Sequence, residues 1–258
     1  MPDDPRPALT AVEDLPEIVR KIRARTPARL LAGRAGAAYR TATQLDLREA
    51  HAAARDAVQA ELETDQVFSS EFRRTWNPLD VRTQAATKDE YLLRPDLGRH
   101  FDNTSVVEIK KRCAPDRDIQ IAIGDGLSVP AIAAQVPPLL PLLYSGARAR
   151  DWTVGTTLVI HHCRVGILNE IGELLNPHVA ILLIGERPGL ATAESLSAYM
   201  AHRPRAGHTD ADRNLISNIH VRGLDPESGA HRILNLAAQM IATNHGGYTL
   251  RENPPTLK

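Results

Sequence analysis

The sequence predicts an α/β protein, in which a Rossmann-like parallel sheet domain follows a smaller, mostly helical N-terminal region. Three apolar stretches, at residues 119–123, 154–160 and 179–184, have the length of buried strands. Segments with helical spacing of apolar residues alternate with these stretches. Strands that are apolar along their whole length are typical of a parallel sheet with both faces covered by helices.

The N-terminal part of the chain is expected to contain mainly helix. We expect residues 1–14 to form a flexible segment and residues 15–115 to form the mostly helical region. A helical pattern over residues 15–25 ends before Pro27, because proline cannot continue a helix. The two glycines within residues 33–36 then interrupt regular structure.

A longer helix is expected next in the chain. Thr43 is a suitable N-cap, and apolar residues recur on one face of the pattern as far as about Leu62. Residues 64–110 are polar and contain Asn-Pro and Arg-Pro turn signals. We therefore expect irregular structure in that stretch.

Residues 116–258 are expected to form the sheet domain. After its first strand, Ser128 can cap a helix that begins at Val129 and Pro130, since proline is favoured in a first helical turn. The remaining predicted elements, in chain order, are helix 169–175, helix 194–200, strand 216–220 and helix 227–243.

Composition and charge argue against several classes of protein. The 31 basic and 31 acidic side chains give a formal net charge of zero, so no global field attracts nucleic acid or an anionic membrane. The polar first residues do not predict a secretory signal, and no apolar run approaches the roughly 18 residues of a membrane span. We expect a cytoplasmic protein with both cysteines reduced. Near-neutral charge also favours an oligomer or a bound partner.

Three segments, at residues 124–128, 161–166 and 185–189, directly follow the predicted strands. Open parallel sheets bind ligands outside the carboxyl ends of their strands, so these segments are expected to converge on one crevice. A dinucleotide fingerprint would need glycine where Val129 stands, and a hydrolase elbow would need glycine at Pro130. A tight turn followed by a helix cap is the alternative that the first segment favours.

The histidines and the cysteine at the end of the second strand do not form a metal motif. His161 and His162 are adjacent, so in a strand they would point to opposite faces, whereas His161 and Cys163 would share one. A zinc site needs further ligands at short spacing. Packing and hydrogen bonding are therefore the expected roles, and no metal site is predicted.

Glu186 directly follows the third apolar strand, where an unpaired charge is costly. Two interpretations stay open for it. It forms a local ion pair or helix cap, or it accepts hydrogen bonds from the donor groups of a ligand. The polar loop at residues 209–214 is a further candidate region, because loops often carry function.

Six short strings occur in a recognisable order along the chain. They are YLLRPDLGR at 91–99, GDGLS at 124–128, IGE at 171–173, IGERPGL at 184–190, ESL at 194–196 and ISNI at 216–219. In this order they closely resemble the small (light) subunit family of ethanolamine ammonia-lyase. With the turn at residues 33–36, the resemblance covers about residues 15–245.

The resemblance implies an adenosylcobalamin-dependent ammonia-lyase. In that family a large barrel subunit binds ethanolamine, and adenosylcobalamin lies between it and the small subunit. Cleavage of the cobalt–carbon bond gives an adenosyl radical that takes hydrogen from the substrate, and acetaldehyde and ammonia are the products. The family also implies a hetero-oligomer of paired large and small subunits, inactive without the large subunit. Its expected location is the cytoplasm, either free or inside a bacterial microcompartment.

The cofactor contacts implied by the resemblance fall on Val165, Glu186 and Leu215. Leu215 is a departure, because well-known members of the family have cysteine at this position. A backbone or van der Waals contact would survive that change, whereas a contact through sulfur would not. Arg164 and Arg213 are expected to be neighbours of the cofactor.

No residue of this chain is implied to be catalytic, since the substrate lies on the large subunit. The cobalt is not expected to need a histidine from this chain, because the family binds the cofactor with its own benzimidazole as the lower ligand. Asp125 and Ser128 are candidate site residues from topology alone.

Three rival functions make different predictions. A hydrolase that uses Ser128 would act alone on activated esters. A nicotinamide dehydrogenase would need the third glycine that Val129 replaces. A non-catalytic binding module would associate with a partner without changing the absorption spectrum of cobalamin.

Overall fold

The computed structural model describes residues 16–26, 30, 32 and 34–252. The chain divides into two units, Met1–Arg48 and Glu49–Lys258. The described elements of the first unit are helix α1 (Glu17–Ala24), an antiparallel hairpin of β1 (Arg34–Ala35) and β2 (Ala38–Tyr39), and the start of a helix that begins at Thr41 and continues into the second unit. The predictions for residues 1–14 and for Gly33 lie outside the described residues.

The second unit contains a mixed six-stranded sheet. Its strands are β3 (Leu79–Arg82), β4 (Ile119–Gly124), β5 (Leu158–His161), β6 (Val179–Gly185), β7 (Leu196–His202) and β8 (Arg213–Ile219). Their spatial order is β3-β5-β4-β6-β7-β8. The first four in this order run parallel, whereas β7 and β8 are antiparallel to their neighbours. The α/β class is confirmed, the purely parallel sheet is wrong, and the Rossmann-like classification stays a prediction.

The antiparallel strands follow from the short connections before them. A parallel neighbour requires a crossover of a dozen or more residues, which is usually a helix. Only residues 186–195 join β6 to β7, and no helix lies between them. The chain therefore turns back beside β6. The predicted helix over residues 194–200 is wrong for this reason, because that stretch forms β7, with all but two of its residues buried.

Helices cover both faces of the sheet, as predicted. The remaining helices are α2 (Thr41–Gln59), α3 (Thr64–Val67), α4 (Ser70–Trp76), α5 (Lys88–Leu93), α6 (Asn103–Arg112), α7 (Val129–Arg148), α8 (Ile167–Leu175) and α9 (Pro226–Thr243). On one face, Ile119, Ile121 and Ile123 of β4 pack in one cluster with α7 and α9. On the other face, Ala122 of β4 and Leu182 of β6 pack with α6 and α8.

Most of the predicted elements are confirmed with shifted ends. Helices α1, α2, α7, α8 and α9 and strands β4, β5, β6 and β8 correspond to predicted segments. Helix α2 begins at Thr41 rather than after Thr43, and β5 begins at Leu158, since Val154 forms only an isolated bridge with Ile119.

The expectation of irregular structure over residues 64–110 is wrong. This stretch contains α3 to α5, most of α6, and the edge strand β3. Helices α4, α5 and α6 have side-chain caps, since Ser69, Thr87 and Asp102 each accept a backbone N–H of the following helix. The boundary at residue 115 stays a prediction. None of the described helices combines the length and apolar character of a membrane span.

Candidate functional site

A cavity of about 340 Å³ lies at the carboxyl ends of β4, β5 and β6, which we call the strand-end cavity. Open α/β sheets bind ligands at this edge. Val165, Glu186 and Leu215 all line it, although they come from the turn after β5, the end of β6 and the middle of β8. The structure therefore brings the three predicted cofactor contacts to one place.

Glu186 is anchored by two hydrogen bonds to the same carboxylate oxygen. The Ser197 hydroxyl and the backbone N–H of Asn218 each donate to Oε1, and both distances are 2.8 Å. Among the described residues, no hydrogen bond ends on Oε2. The carboxylate is therefore held in a fixed orientation and keeps one oxygen for a further donor.

Leu215 and Val165 give the cavity apolar surface. Leu215 lies opposite Tyr199 of β7, and 47% of its surface is exposed. Tyr199 also lines the cavity, and Val165 is half-buried. Covering the exposed surface of this leucine with a ligand or a partner would lower the free energy, because apolar surface would be removed from water.

The turn after β5 is fixed by a buried carboxylate. Asp125, which is fully buried, accepts the backbone N–H groups of His162 at 2.9 Å and Cys163 at 2.7 Å. Its charge is paired with buried Lys88, whose Nζ lies 3.4 Å from Oδ2. His162 adopts a left-handed backbone conformation with φ of 58°. Asp125 therefore stabilises an unfavourable turn, and it does not line the strand-end cavity.

Tyr91 connects the two turns that border the cavity. Its hydroxyl lies 2.8 Å from the carbonyl oxygen of Gly126 and 2.9 Å from that of Cys163, so it donates to this pair. Burial raises the pKa of Tyr91 far above its usual value, and the charge of Asp125 adds to this effect. The hydroxyl therefore stays protonated and acts as a donor.

Arg164 lies against the ring of Tyr91. Its guanidinium carbon is 4.1 Å from the ring centroid, and Nη2 donates to the Tyr91 carbonyl at 3.2 Å. A Cβ at Gly98 would lie 2.7 Å from both the Arg164 side chain and the His162 carbonyl oxygen. The glycine of the YLLRPDLGR string is thus required by close packing against this turn.

Ser128 has a structural role. It is fully buried, its hydroxyl donates to the Ala193 carbonyl, and the same oxygen accepts the N–H of Ala131 at the start of α7. Neither Asp125 nor Ser128 lines the strand-end cavity, and the GDGLS string forms a turn and a helix cap. The expectation that these two residues face a ligand has no support from this geometry. This geometry also argues against the hydrolase.

The neighbouring histidines are engaged with the protein. His162 contacts the Glu61 carboxylate and the Ala85 carbonyl, both at 2.9 Å, and His161 lies 3.3 Å from Asp80. Within the described residues, no group of three histidine, cysteine or acidic side chains could hold a metal ion. Both cysteines are free, and burial raises the pKa of the Cys163 thiol well above its usual value.

A second cavity of about 860 Å³ adjoins the first, and we call it the lateral cavity. Arg164 and Val165 line both cavities. Arg213 lines only the lateral cavity, where its nearly buried side chain pairs with Asp210 and donates to Asn169 at 2.9 Å. Of the two predicted neighbours, Arg164 thus borders the strand-end cavity and Arg213 lies beside it.

Sequence reasoning missed several residues of the strand-end cavity. Tyr91, Ser197 and Tyr199 line it, and none of them was singled out as a site residue. The signal for Tyr91 was its place in the YLLRPDLGR string. Ser197 and Tyr199 carried no signal, because they were assigned to a helix and their position depends on β7 pairing with β6.

Comparison with known proteins gives one family. The family model described as ethanolamine ammonia-lyase light chain (EutC) matches residues 16–251. An ethanolamine ammonia-lyase small subunit from Clostridium perfringens is 43% identical over 232 residues, which cover 90% of this chain and 76% of that protein. A small subunit from Fusobacterium nucleatum is 39% identical over 251 residues, covering 93% and 83%. One from Clostridioides difficile is 42% identical over 231 residues, covering 89% and 76%.

Fold and site together define an α/β protein with a crevice at the carboxyl ends of its parallel strands. Its buried polar groups fix the turns that border the crevice, and Leu215 gives the crevice exposed apolar surface. With the family match over most of the chain, the assignment becomes specific. The chain belongs to the ethanolamine ammonia-lyase small subunit family, and is thus a subunit of a lyase.

Proposed function

We propose that the chain forms part of an adenosylcobalamin site in an ethanolamine ammonia-lyase, whose large subunit binds the substrate. The observation that carries this proposal is the convergence of Val165, Glu186 and Leu215 on the strand-end cavity. These positions are separated along the chain. Val165 and Leu215 were assigned from the resemblance alone, and Glu186 was assigned from the resemblance and from its place after a buried strand. A chance assignment would not be expected to select three residues of one cavity.

The chemistry of the cavity suits the edge of a corrin ring. The ring carries methyl groups and neutral amide side chains. Leu215 and Val165 offer apolar contact to the methyl groups. The unoccupied Oε2 of Glu186 can accept an amide N–H, and a bond to a charged acceptor is stronger than a neutral one.

The size of the cavity supports a shared site. Pockets of roughly 300–1,000 Å³ enclose a drug-sized ligand, and a corrinoid is larger than that. A strand-end cavity of 340 Å³ therefore accommodates only part of the cofactor. The rest must be covered by another chain, which fits a large-subunit partner in a hetero-oligomer.

The residues of the strand-end cavity suit binding of the cofactor rather than chemistry on the substrate. When bound, adenosylcobalamin supplies the radical chemistry that converts ethanolamine to acetaldehyde and ammonia. Glu186 holds and orients the ring edge, and Leu215 and Val165 exclude water from it. No described side chain of the strand-end cavity is assigned a proton-transfer role. The chain alone is thus expected to be inactive, in the cytoplasm or in a bacterial microcompartment.

The proposed function is tested by reconstitution. This chain and a large subunit of the same enzyme are expressed together and separately, and each preparation receives ethanolamine and adenosylcobalamin. We expect acetaldehyde and ammonia from the pair alone. A folded pair that binds cobalamin without turnover would contradict the assignment of ethanolamine as the substrate. Failure of the pair to bind cobalamin would contradict the assignment of the cofactor. A chain that hydrolyses activated esters alone would favour the hydrolase.

A further inference from the structure

Glu61 lies in the short connection between α2 and α3, and its two neighbours in that connection are anchored in the core. Leu62 is buried, and Ala60 packs against the same apolar cluster. The Glu61 side chain is 46% exposed, whereas that of its partner His162 is only 3% exposed. The connection therefore holds the carboxylate in place, so that it reaches a buried imidazole while it stays partly hydrated.

Both nitrogens of the His162 ring face oxygen acceptors. Nε2 lies 2.9 Å from Oε2 of Glu61, and Nδ1 lies 2.9 Å from the carbonyl oxygen of Ala85. A neutral imidazole carries one N–H, so it can donate to only one of these oxygens, and its other nitrogen would turn a lone pair towards an oxygen. The imidazolium form donates to both. The positions of the two acceptors thus favour the charged ring, with Glu61 as its counter-ion.

The other ionisable groups around this turn engage different atoms. They are Asp125, Lys88, Tyr91, Cys163 and Arg164. Asp125 accepts the backbone N–H of His162 and pairs with Lys88, and the Tyr91 ring stacks on the imidazole with the centroids 5.8 Å apart. Burial raises the pKa of the Tyr91 hydroxyl and of the Cys163 thiol, so neither becomes an anion beside the ring as the pH rises.

We infer that Glu61 and a protonated His162 are positioning residues for the cofactor, and that loss of the ring proton weakens cofactor binding. The inference rests on the proposed function, because the turn after β5 supplies Val165 to the strand-end cavity. The turn begins at His162, whose φ of 58° must be maintained by surrounding contacts. The charged pair joins this turn to a connection 101 residues away in the chain.

The direction of the pH effect follows from the two acceptors. At lower pH the charged ring donates to both oxygens and the turn is fixed. As the pH rises and the ring becomes neutral, one of the two hydrogen bonds is lost, and a lone pair of Nε2 or Nδ1 faces an oxygen. The turn then gains freedom that ligand binding must remove again, so affinity for the cofactor falls.

The variants separate the charge of the pair from its geometry. In Glu61→Gln the new amide can donate to an unprotonated Nε2 while Nδ1 donates to Ala85, so a neutral ring keeps both hydrogen bonds. Glu61→Ala removes the partner of Nε2 altogether. Glu63→Gln is the matched control, because Glu63 is exposed in the same connection and loses the same charge. Binding of cyanocobalamin to the assembled pair of subunits is measured by equilibrium dialysis, from about pH 6 to about pH 9, which spans the ordinary titration of histidine.

We expect the affinity of the unaltered pair to fall about tenfold as the pH rises over this range, since a hydrogen bond between charged groups is lost. Glu61→Gln should bind within about twofold of the unaltered pair at the acidic end and keep that affinity at the alkaline end. Glu61→Ala should bind about tenfold more weakly at the acidic end, and Glu63→Gln should follow the unaltered profile.

A contact that is merely structural would give Glu61→Gln the same pH profile as the unaltered pair, displaced by a constant factor, and that result would overturn the inference. A flat profile for the unaltered pair would also overturn it, even if the Glu61 variants did not assemble, and the proposed function would stand. Absence of cyanocobalamin binding at every pH would overturn both.

Discussion

The two walls of the strand-end cavity use their polar groups in opposite ways. The inner wall is formed by the turns after β4 and β5 with Tyr91. In it, Asp125 pairs with Lys88 and accepts two backbone N–H groups, and the Tyr91 hydroxyl donates to backbone carbonyls. The outer wall, formed by the end of β6 with β7 and β8, presents Glu186 with one oxygen unoccupied and Leu215 half exposed.

This difference separates stability from binding among the polar groups of one crevice. A buried charge without a partner is strongly destabilising, so the inner wall tolerates little change. On the outer wall, Oε2 of Glu186 accepts no hydrogen bond from a described residue, so this oxygen is free to contribute to affinity. The most conspicuous string of the sequence, GDGLS, thus maintains the site, and the residues expected to contact the ligand stand in less distinctive places.

The largest effect is expected from the inner wall. Asp125→Asn leaves Lys88 buried without a countercharge and puts an amide donor beside two backbone N–H groups. We expect a loss of about 3–5 kcal/mol in the free energy of unfolding, measured by urea denaturation. Asp96→Asn is the control, since Asp96 pairs with Arg94 at the exposed surface and should change stability little. If the two variants had comparable free energies of unfolding, the proposed structural role of the inner wall would be contradicted.

A smaller effect, on binding and not on folding, is expected from the outer wall. Glu186→Gln keeps the oxygen that accepts from Ser197 and Asn218 but removes the negative charge. We expect cobalamin affinity of the assembled pair to fall about tenfold, with assembly and unfolding midpoint unchanged. Glu194→Gln, at a nearby exposed position, serves as the matched control. Unchanged affinity in the Glu186 variant would contradict its assignment to the cofactor.

The smallest effect is expected at Leu215. Leu215→Cys restores the residue of well-known family members and removes only part of a half-exposed apolar side chain. We expect cobalamin affinity to change by no more than about fourfold. Leu215→Asp, which adds a charge to the cavity that contains Glu186, should weaken binding more strongly. Loss of activity in the cysteine variant would show that the pocket has been remodelled around leucine.

The sequence predicted the central strands because their apolar runs are buried on both faces, as β4 and β6 are throughout. It could not reveal the antiparallel edge. Leu196, Ala198 and Met200 are apolar residues spaced by two, but Ser197 and Tyr199 between them are also largely buried, which obscures the strand period. Likewise, β3 is too short to recognise, and its assignment depends on pairing with β5.

The candidate site was predicted to a different degree. Val165, Glu186 and Leu215 were found through the family resemblance, whereas spacing alone gave only the edge of the sheet. The polar character of Asp125 and Ser128 was misleading, because both side chains accept hydrogen bonds from backbone N–H groups and thereby fix the turns. A buried, satisfied polar residue and a ligand-binding one look alike in a sequence.

The left-handed turn after β5 also has a consequence for how the protein folds. It is held by Tyr91, Thr83 and Glu61, which lie 72, 79 and 101 residues from their partners. Contacts of such long range form slowly, because the entropy of closing large loops must be overcome first. The crevice is therefore expected among the last parts to form during synthesis, and a fragment that lacks residues 61–91 should be unable to assemble it.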